Sequence, residues 1–327
     1  MSTIVLILGL HKDISNAYKN GIEKAFPEFQ VTLLDSVKKV DPFLADMEVL
    51  ITHGPYLEDR ADHVLTNAKK LKWIQGIGTG VDNFADRATL HPSVSVTNIH
   101  GVHGAPMSEA LFGAMLTFSR QIKRSISNQQ EHKWENWPSR LISGKTIGIF
   151  GLGSISKTIA PRCKAFDMKV IGVSSSVREM DGFDKIHHKD ELINVVHEFD
   201  YFLILTPYSK YTHHIINAKI FSKMRPTSYL INHARGGVVD EDALIQALQN
   251  KAIAGAALDV FSKEPLGSDH PFWDMDNVFI TCHQSATHDG TVNTNLPIII
   301  KNLNQFKSGN YKDMLNLVKL GINHENS

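Results

Sequence analysis

The chain has 327 residues, and its basic and acidic side chains balance at 34 each. That balance provides no net field for nucleic acid or an anionic membrane, so neither is expected as a partner. A hydrophobic fraction of 42% and a charged fraction of 21% exclude a disordered chain, and the length suits two domains better than one core.

The N-terminal run MSTIVLILGL lacks the basic start and the cleavage site of a signal peptide, and reads as a first buried strand over Ile4–Leu8. No apolar stretch approaches the roughly 20 residues that span a bilayer. Cys163 and Cys282 are far apart and outside metal-ligand spacing, which fits a reducing compartment, so a cytoplasmic protein without a metal site is expected. A helix over Ala17–Phe26 and strands at Val31–Leu34, Val49–Ile51 and Trp73–Ile77 follow. This alternation predicts a parallel sheet covered by helices on both faces. Turn signals close the strands at Gly54-Pro55 and at Gly76, Gly78 and Gly80.

A long helix is predicted from Pro106 through Phe118, followed by a polar stretch, Gln121–Ser143, that holds Trp134 and Trp137. A second series of strands then runs Thr146–Phe150, Val170–Val173, Tyr201–Leu205, Ser228–Asn232, Gly255–Asp259 and Val278–Thr281, enough for a complete doubly wound domain. The helix Asn293–Phe306 comes too late for that sheet and is assigned to the first domain. The expected organisation is α/β with two doubly wound parallel-sheet domains, a Rossmann-type cofactor domain (101–292) inserted in a flavodoxin-like substrate domain (1–100 and 293–327).

Gly151-Leu152-Gly153 lies between the strand ending at Phe150 and a helix containing Ile159 and Cys163. Glycines there allow a tight turn and bring a dinucleotide pyrophosphate against the free N–H groups of a helix start, including Ser154 and Ile155. The third small position is Ser156 rather than glycine. About twenty residues on, where a carboxylate would select a free ribose 2′-hydroxyl, the chain has Ser174, Ser175, Ser176 and Arg178. Nothing there repels a 2′-phosphate, and hydroxyls with a guanidinium can hold one. NADP(H) is therefore the expected cofactor, with NAD(H) possible.

Three later stretches carry a resemblance: INHARGGVVDEDAL (Ile231–Leu244), AGAALDVFSKEPL (Ala254–Leu266) and NVFITCHQSAT (Asn277–Thr287). In this order the chain resembles the D-isomer-specific 2-hydroxyacid dehydrogenases, over about Trp73–Thr287, and most of all the glyoxylate/hydroxypyruvate reductase branch. The resemblance implies Arg235 as substrate-binding arginine, Glu264 as the carboxylate orienting the histidine, and His283 as acid/base. The chemistry needs these types. Hydride addition to a 2-keto acid builds charge on the carbonyl oxygen, which a histidine can protonate near neutral pH. A carboxylate fixes the tautomer, and arginine forks the substrate carboxylate. The resemblance also implies Thr79, Gly80 and Val81 in a carboxylate-binding loop, Thr206-Pro207 as a cofactor-lining turn, and Ala234 and Asp259 beside the nicotinamide. Arg235 and His283 border that cofactor site too. Cys282 stands where the family has a proline before the histidine.

By the same resemblance the active site is expected in the cleft between two domains, and the segment 121–145 is expected to form the arm of a homodimer, burying Trp134 and Trp137. His53 and Tyr56, after an early strand, are candidates to reach the small-molecule substrate. The pairs His187-His188 and His213-His214 are read as strand neighbours whose side chains diverge. The end of the chain at Ser327 is read as disfavouring a phosphoglycerate dehydrogenase with an added regulatory domain, and Glu264 as disfavouring formate dehydrogenase. The alternatives are another dehydrogenase of this family, or a dinucleotide-sensing, corepressor-like binding protein with little turnover.

Overall fold

The computed structural model describes residues 2–81 and 84–322, apart from the side chain of Glu58. The chain forms two compact units, Met1–Val102 with His288–Ser327, and His103–Thr287. The junctions thus fall at 102/103 and 287/288, where the sequence reading has 100/101 and 292/293. In chain order the first unit contributes β1 (Thr3–Ile7), β2 (Gln30–Leu34), β3 (Met47–Thr52), β4 (Trp73–Gly76) and β5 (Ser95–Thr97). The second contributes β6 (Thr146–Phe150), β7 (Lys169–Ser174), β8 (Lys185–His188), β9 (Tyr201–Ile204), β10 (Tyr229–Asn232), β11 (Gly255–Leu258) and β12 (Val278–Ile280). The first unit then ends with β13 (Leu317–Lys319).

The first sheet runs β13-β5-β4-β3-β1-β2. Five strands are parallel in the flavodoxin-like order, and β13 adds an antiparallel edge to β5 that the all-parallel expectation lacks. Strand alternation sends Val5, Ile7, Leu50 and Ile74 to one face, packed with the helix Ala61–Asn67. Ile4, Leu6, Val49, Ile51 and Trp73 go to the other, with Tyr18 and Ile22 of the helix Lys12–Ala25 and Ile299 and Leu303 of the helix Thr291–Ser308. Burial on both faces explains why these strands read as near-continuous apolar runs. The returning helix is also tied down by a buried polar chain. Trp73 Nε1 donates to Thr97 Oγ1 (2.9 Å), Thr97 Oγ1 donates to Gln75 Oε1 (2.8 Å), and Asn302 Nδ2 donates to the same oxygen (2.9 Å).

The second sheet runs β12-β11-β10-β9-β6-β7-β8, all parallel. From β6 outward this is the doubly wound order with the switch between β6 and β9, and ligands of such sheets bind outside the carboxyl ends there. Two strands, β5 and β13, escape the sequence reading, at three residues each, while β8 (KIHH), where His187 and His188 are read on a strand, has one aliphatic residue because it lies at the sheet edge.

Candidate functional site

At the carboxyl end of β6, Gly151 has φ +104°, and a Cβ there would stand 2.5 Å from the Thr206 backbone nitrogen. Only glycine lets this turn approach the end of β9 so closely. Gly153 differs. It begins the helix Ser154–Ala165 with no side-chain cap, and a Cβ on it would meet nothing within 4 Å. The loop therefore keeps open space against uncapped N–H groups of the first turn, to which Ser154 and Ile155 belong, the environment an anion prefers. Ser156, in the third small position, is fully buried and donates to the Gly153 carbonyl at 2.8 Å, so the hydroxyl fits inside the turn.

The serine stretch after β7 folds towards the same loop. Ser174 is buried, Ser175 and Ser176 are exposed, and Arg178 bridges the two segments. Its guanidinium donates to the Leu152 carbonyl at 2.8 Å and to Ser176 Oγ at 2.5 Å. A cation and hydroxyls thus flank the glycine turn. Thr206 is buried and Pro207 exposed at the neighbouring strand end. These residues fit a dinucleotide phosphate.

Beyond β10, Asn232 shapes the turn that presents the arginine. Its Oδ1 accepts from Ala234 N (3.1 Å) and its Nδ2 donates to the Arg235 carbonyl (3.1 Å). Ala234 is buried, and Arg235 Nη1 donates to the Ala234 carbonyl at 2.7 Å. Gly236 is required next, because a Cβ there would lie 1.9 Å from the Phe261 carbonyl carbon. This contact packs the arginine turn against the segment that carries the carboxylate. Glu264 uses both oxygens: Oε1 accepts from Phe261 N at 2.9 Å, and Oε2 lies 2.6 Å from His283 Nδ1. The side chains of Glu264 and His283 are 20% and 22% exposed, a half-sheltered pair in which Nε2 is the ring nitrogen left for proton transfer.

His283 has φ +49°, a left-handed conformation that a non-glycine residue holds only when its surroundings impose it. The imposing residue is Asp259, at the end of β11. Its carbonyl accepts from His283 N (2.7 Å), Oδ1 accepts from Gln284 N (2.9 Å) and Thr281 Oγ1 (2.5 Å), and Oδ2 accepts from Ser285 N (3.0 Å). Burial of this side chain, which is 2% exposed, raises its pKa. The Ser285 and Thr281 hydroxyls and the two backbone N–H groups outweigh that effect and hold the carboxyl below its ordinary value. Asp259 therefore fixes the histidine loop, a role that the resemblance alone does not assign to it.

His233 escapes the sequence reading altogether. It follows β10 directly, is 9% exposed, and its Nδ1 is enclosed with no hydrogen-bond partner. Burial pushes it down to about 4, against the raising influence of Asp259. A histidine placed one residue after a strand, in the stretch that also contains Arg235, is the only sequence signal.

In the first unit, Gly76 ends β4 and Gly78, Thr79, Gly80 and Val81 follow it, while Asp82 of the same loop lies outside the described residues. Thr79 Oγ1 donates to the Ile99 carbonyl at 3.1 Å, and Asn98 Nδ2 donates to the Thr79 carbonyl at 2.7 Å. The Val81 carbonyl accepts from Phe84 N and Ala85 N. His53 lies over Gly78, where a Cβ would be 3.4 Å from its ring, and Tyr56 covers Gly9, with the two rings 5.6 Å apart. The structure thus brings this pair to the glycine loop of its own unit.

One expectation about histidines is revised. His187 and His188 lie on β8 as read, but His213 and His214 lie in a turn with His214 at φ +49°, and their rings stack at 3.8 Å instead of diverging. Trp137 lies under Arg124 of its own chain, 4.4 Å from the ring centroid, whereas Trp134 is 97% exposed. Among the described residues no helix is long and apolar enough to cross a membrane.

Residues 112–285 match the family model described as D-isomer specific 2-hydroxyacid dehydrogenase, NAD binding domain. The chain is similar to a glyoxylate reductase of Pyrococcus horikoshii, 32% identical over 299 residues that cover 88% of this chain and 86% of the relative. Among solved structures it is similar to the NADPH-dependent glyoxylate/hydroxypyruvate reductase of Sinorhizobium meliloti in complex with NADP and sulfate. That match has 26% identity and a TM-score of 0.80, covering 97% of this chain and 98% of the other. It is also similar to the D-lactate dehydrogenase of Aquifex aeolicus complexed with NAD and lactic acid, at 25% identity and a TM-score of 0.84, covering 96% and 98%.

Proposed function

The chain belongs to the D-isomer-specific 2-hydroxyacid dehydrogenases, NAD(P)-dependent oxidoreductases of CH–OH groups, and from that premise we propose that it is a reductase of glyoxylate/hydroxypyruvate type. The observation that carries the proposal is the His283–Glu264 pair at 2.6 Å, held beside the arginine turn at the carboxyl ends of β10 and β11. A bound nicotinamide supplies hydride to the 2-carbon of the keto acid. His283, its Nδ1 fixed by Glu264, delivers the proton to the carbonyl oxygen from Nε2 and is left neutral. Arg235 holds the substrate carboxylate and stabilises the charge that gathers on the oxygen before the proton arrives. Thr79, Gly80 and Val81 offer backbone N–H groups to an anion at the glycine loop of their own unit.

Gly151, Gly153, Ser154 and Ile155 receive the pyrophosphate, with Thr206, Pro207 and Ala234 along the rest of the cofactor. Ser174, Ser175, Ser176 and Arg178 favour NADP(H) over NAD(H). Support comes from the Arg178 bridge between the glycine loop and Ser176, a guanidinium beside hydroxyls of the kind that hold a phosphate. The protein acts in the cytoplasm as a homodimer. The arm is a reasonable interface because Ile122, Ile126, Trp134 and Leu141 leave 39%, 51%, 97% and 64% of their surface exposed.

Initial rates of NADPH and NADH oxidation with glyoxylate, hydroxypyruvate, pyruvate, phenylpyruvate and 2-ketoisocaproate test the reading. Rapid NADPH-dependent turnover of one of the two smallest polar acids is the expected result. Failure of every acid while the dinucleotide still binds replaces it with a dinucleotide-sensing protein.

A further inference from the structure

The second unit has a cavity at the end of its sheet opposite to the glycine turn. β6, β9 and β10 run parallel, so Lys145, Asp200 and Thr227, which precede them, stand together at their amino ends. Arg140 and Leu141, from the segment that leads into β6, enclose with them a space of about 460 Å3. That volume suits a small organic molecule, since ligand pockets run from roughly 300 to 1,000 Å3. β10 is four residues long, which puts the cavity roughly 13 Å from the turn that carries Arg235.

The walls select among such molecules. Tyr201 and Tyr229 line the cavity and belong to an aromatic stack, Tyr229 lying 5.6 Å from Tyr201 and 4.5 Å from Phe118, with the planes within 18°. Burial, with Tyr229 and Asp200, pushes the Tyr201 hydroxyl up to about 12 against the influence of Arg140 and Ser119, so this phenol keeps its proton and brings no negative charge. Asp200, the acidic residue of the lining, is already engaged. Its Oδ2 accepts from Thr146 N at 2.9 Å, and its Oδ1 lies 3.7 Å from Arg225 Nη1 and 4.0 Å from Lys145 Nζ. Arg140 is held by its backbone N–H, which donates to the Ser119 carbonyl at 2.9 Å, while its guanidinium has no ion pair or hydrogen bond among the described residues. Three cations against one carboxylate leave the cavity positive. Leu141, 64% exposed, gives its rim an apolar lip. We infer that this cavity is a second small-molecule site, for an organic anion that joins a carboxylate to a flat apolar body. The carboxylate lies on Arg140 and Lys145, where a guanidinium can take both oxygens, and the body lies against Tyr201, Tyr229 and Leu141. Because the site is at the far end of the sheet, its ligand and a dinucleotide are held together.

The probe is 2-naphthoate, titrated by calorimetry into the protein in its native oligomeric state, with and without saturating NADP+. Neutral 2-naphthamide, which keeps the body and removes the charge, is the comparison. Arg140→Gln removes the free cation and Thr227→Trp fills the cavity, both at exposed positions, with melting curves to check that each folds. A charge-assisted contact corresponds to about tenfold in affinity or more. Wild type is expected to prefer the acid by that factor, with a dissociation constant that NADP+ leaves unchanged. Arg140→Gln is expected to bind acid and amide alike, and Thr227→Trp to bind neither. Absence of naphthoate binding to wild type, as when a second copy fills the space, overturns the inference. Equal binding of acid and amide by wild type, or competition with NADP+, does the same. So does binding that is undiminished in Arg140→Gln and lost in Arg235→Ala, which assigns the probe to the substrate site. None of these results touches the reductase reading, which turnover of the keto acids tests separately.

Discussion

Asp259→Asn is an informative perturbation because it changes one charge and almost no volume. The carboxylate takes hydrogen bonds from Thr281 Oγ1, Gln284 N and Ser285 N, on two different oxygens. An amide keeps one oxygen and turns an NH2 towards the donors of the other side. The variant loses at least one charge-assisted bond, about 1.5–3 kcal/mol, and leaves a buried donor unsatisfied at about 1–3 kcal/mol. A loss of about 3–5 kcal/mol near neutral pH follows, which lowers the melting temperature of a unit this size by roughly 10 °C. The sign of the pH dependence is fixed by the depressed folded-state pKa. The stabilisation is complete above the unfolded value, about 3.9, and disappears as pH falls through the lower folded value. Thermal melts of wild type and variant from pH 7 to pH 3 should therefore differ most at neutral pH and converge below about pH 4. Because the same bonds hold His283 in its left-handed conformation, kcat should fall at least tenfold while dinucleotide affinity changes less. Equal melting temperatures at pH 7 would refute the assignment of Asp259 to the loop.

The remaining predictions concern separate parts of the site. Glu264→Gln and His283→Ala should lower kcat by about tenfold and more than a hundredfold respectively, with NADP+ dissociation constants within a fewfold of wild type by fluorescence titration. Gly151→Ala, at φ +104° and 2.5 Å from Thr206 N, should destabilise the fold by melting curves, whereas Gly153→Val should melt normally and lose dinucleotide affinity. Arg178→Ala should lower kcat/KM for NADPH by roughly tenfold or more and leave that for NADH unchanged. Burial pushes the Cys163 thiol up to about 12 while Cys282 is exposed, so native iodoacetamide labelling at pH 8 should mark Cys282 alone, as read by peptide mass spectrometry.

The central strands were legible because burial on both faces leaves runs such as Thr146–Phe150 without a polar residue to interrupt them. β8 is not legible by that rule. An edge strand needs cover on fewer sides, and KIHH offers only Ile186 as an aliphatic residue. His213-His214 shows the opposite failure, since alternation was assumed in a segment that is a turn. At the site, Arg235, Glu264 and His283 stand out through the resemblance of their segments, and the cofactor loop through its glycines and serines. Asp259 does so only as a neighbour of the nicotinamide, and His233 not at all. What marks them is tertiary: three consecutive N–H groups converging on one aspartate, and one ring among 17 histidines enclosed beside it. Neither arrangement has a fixed spacing in the chain.

The central claim is hydride transfer to the 2-carbon of a small keto acid with His283 as proton donor. Incubation of glyoxylate, hydroxypyruvate and pyruvate with NADPH carrying deuterium on the reactive face of C4 follows that hydride directly. The account predicts deuterium at C2 of the product, D-configured where C2 is a stereocentre, and no labelled product from His283→Ala on the same timescale. Unlabelled or L-configured product, or undiminished labelling by the variant, would contradict it.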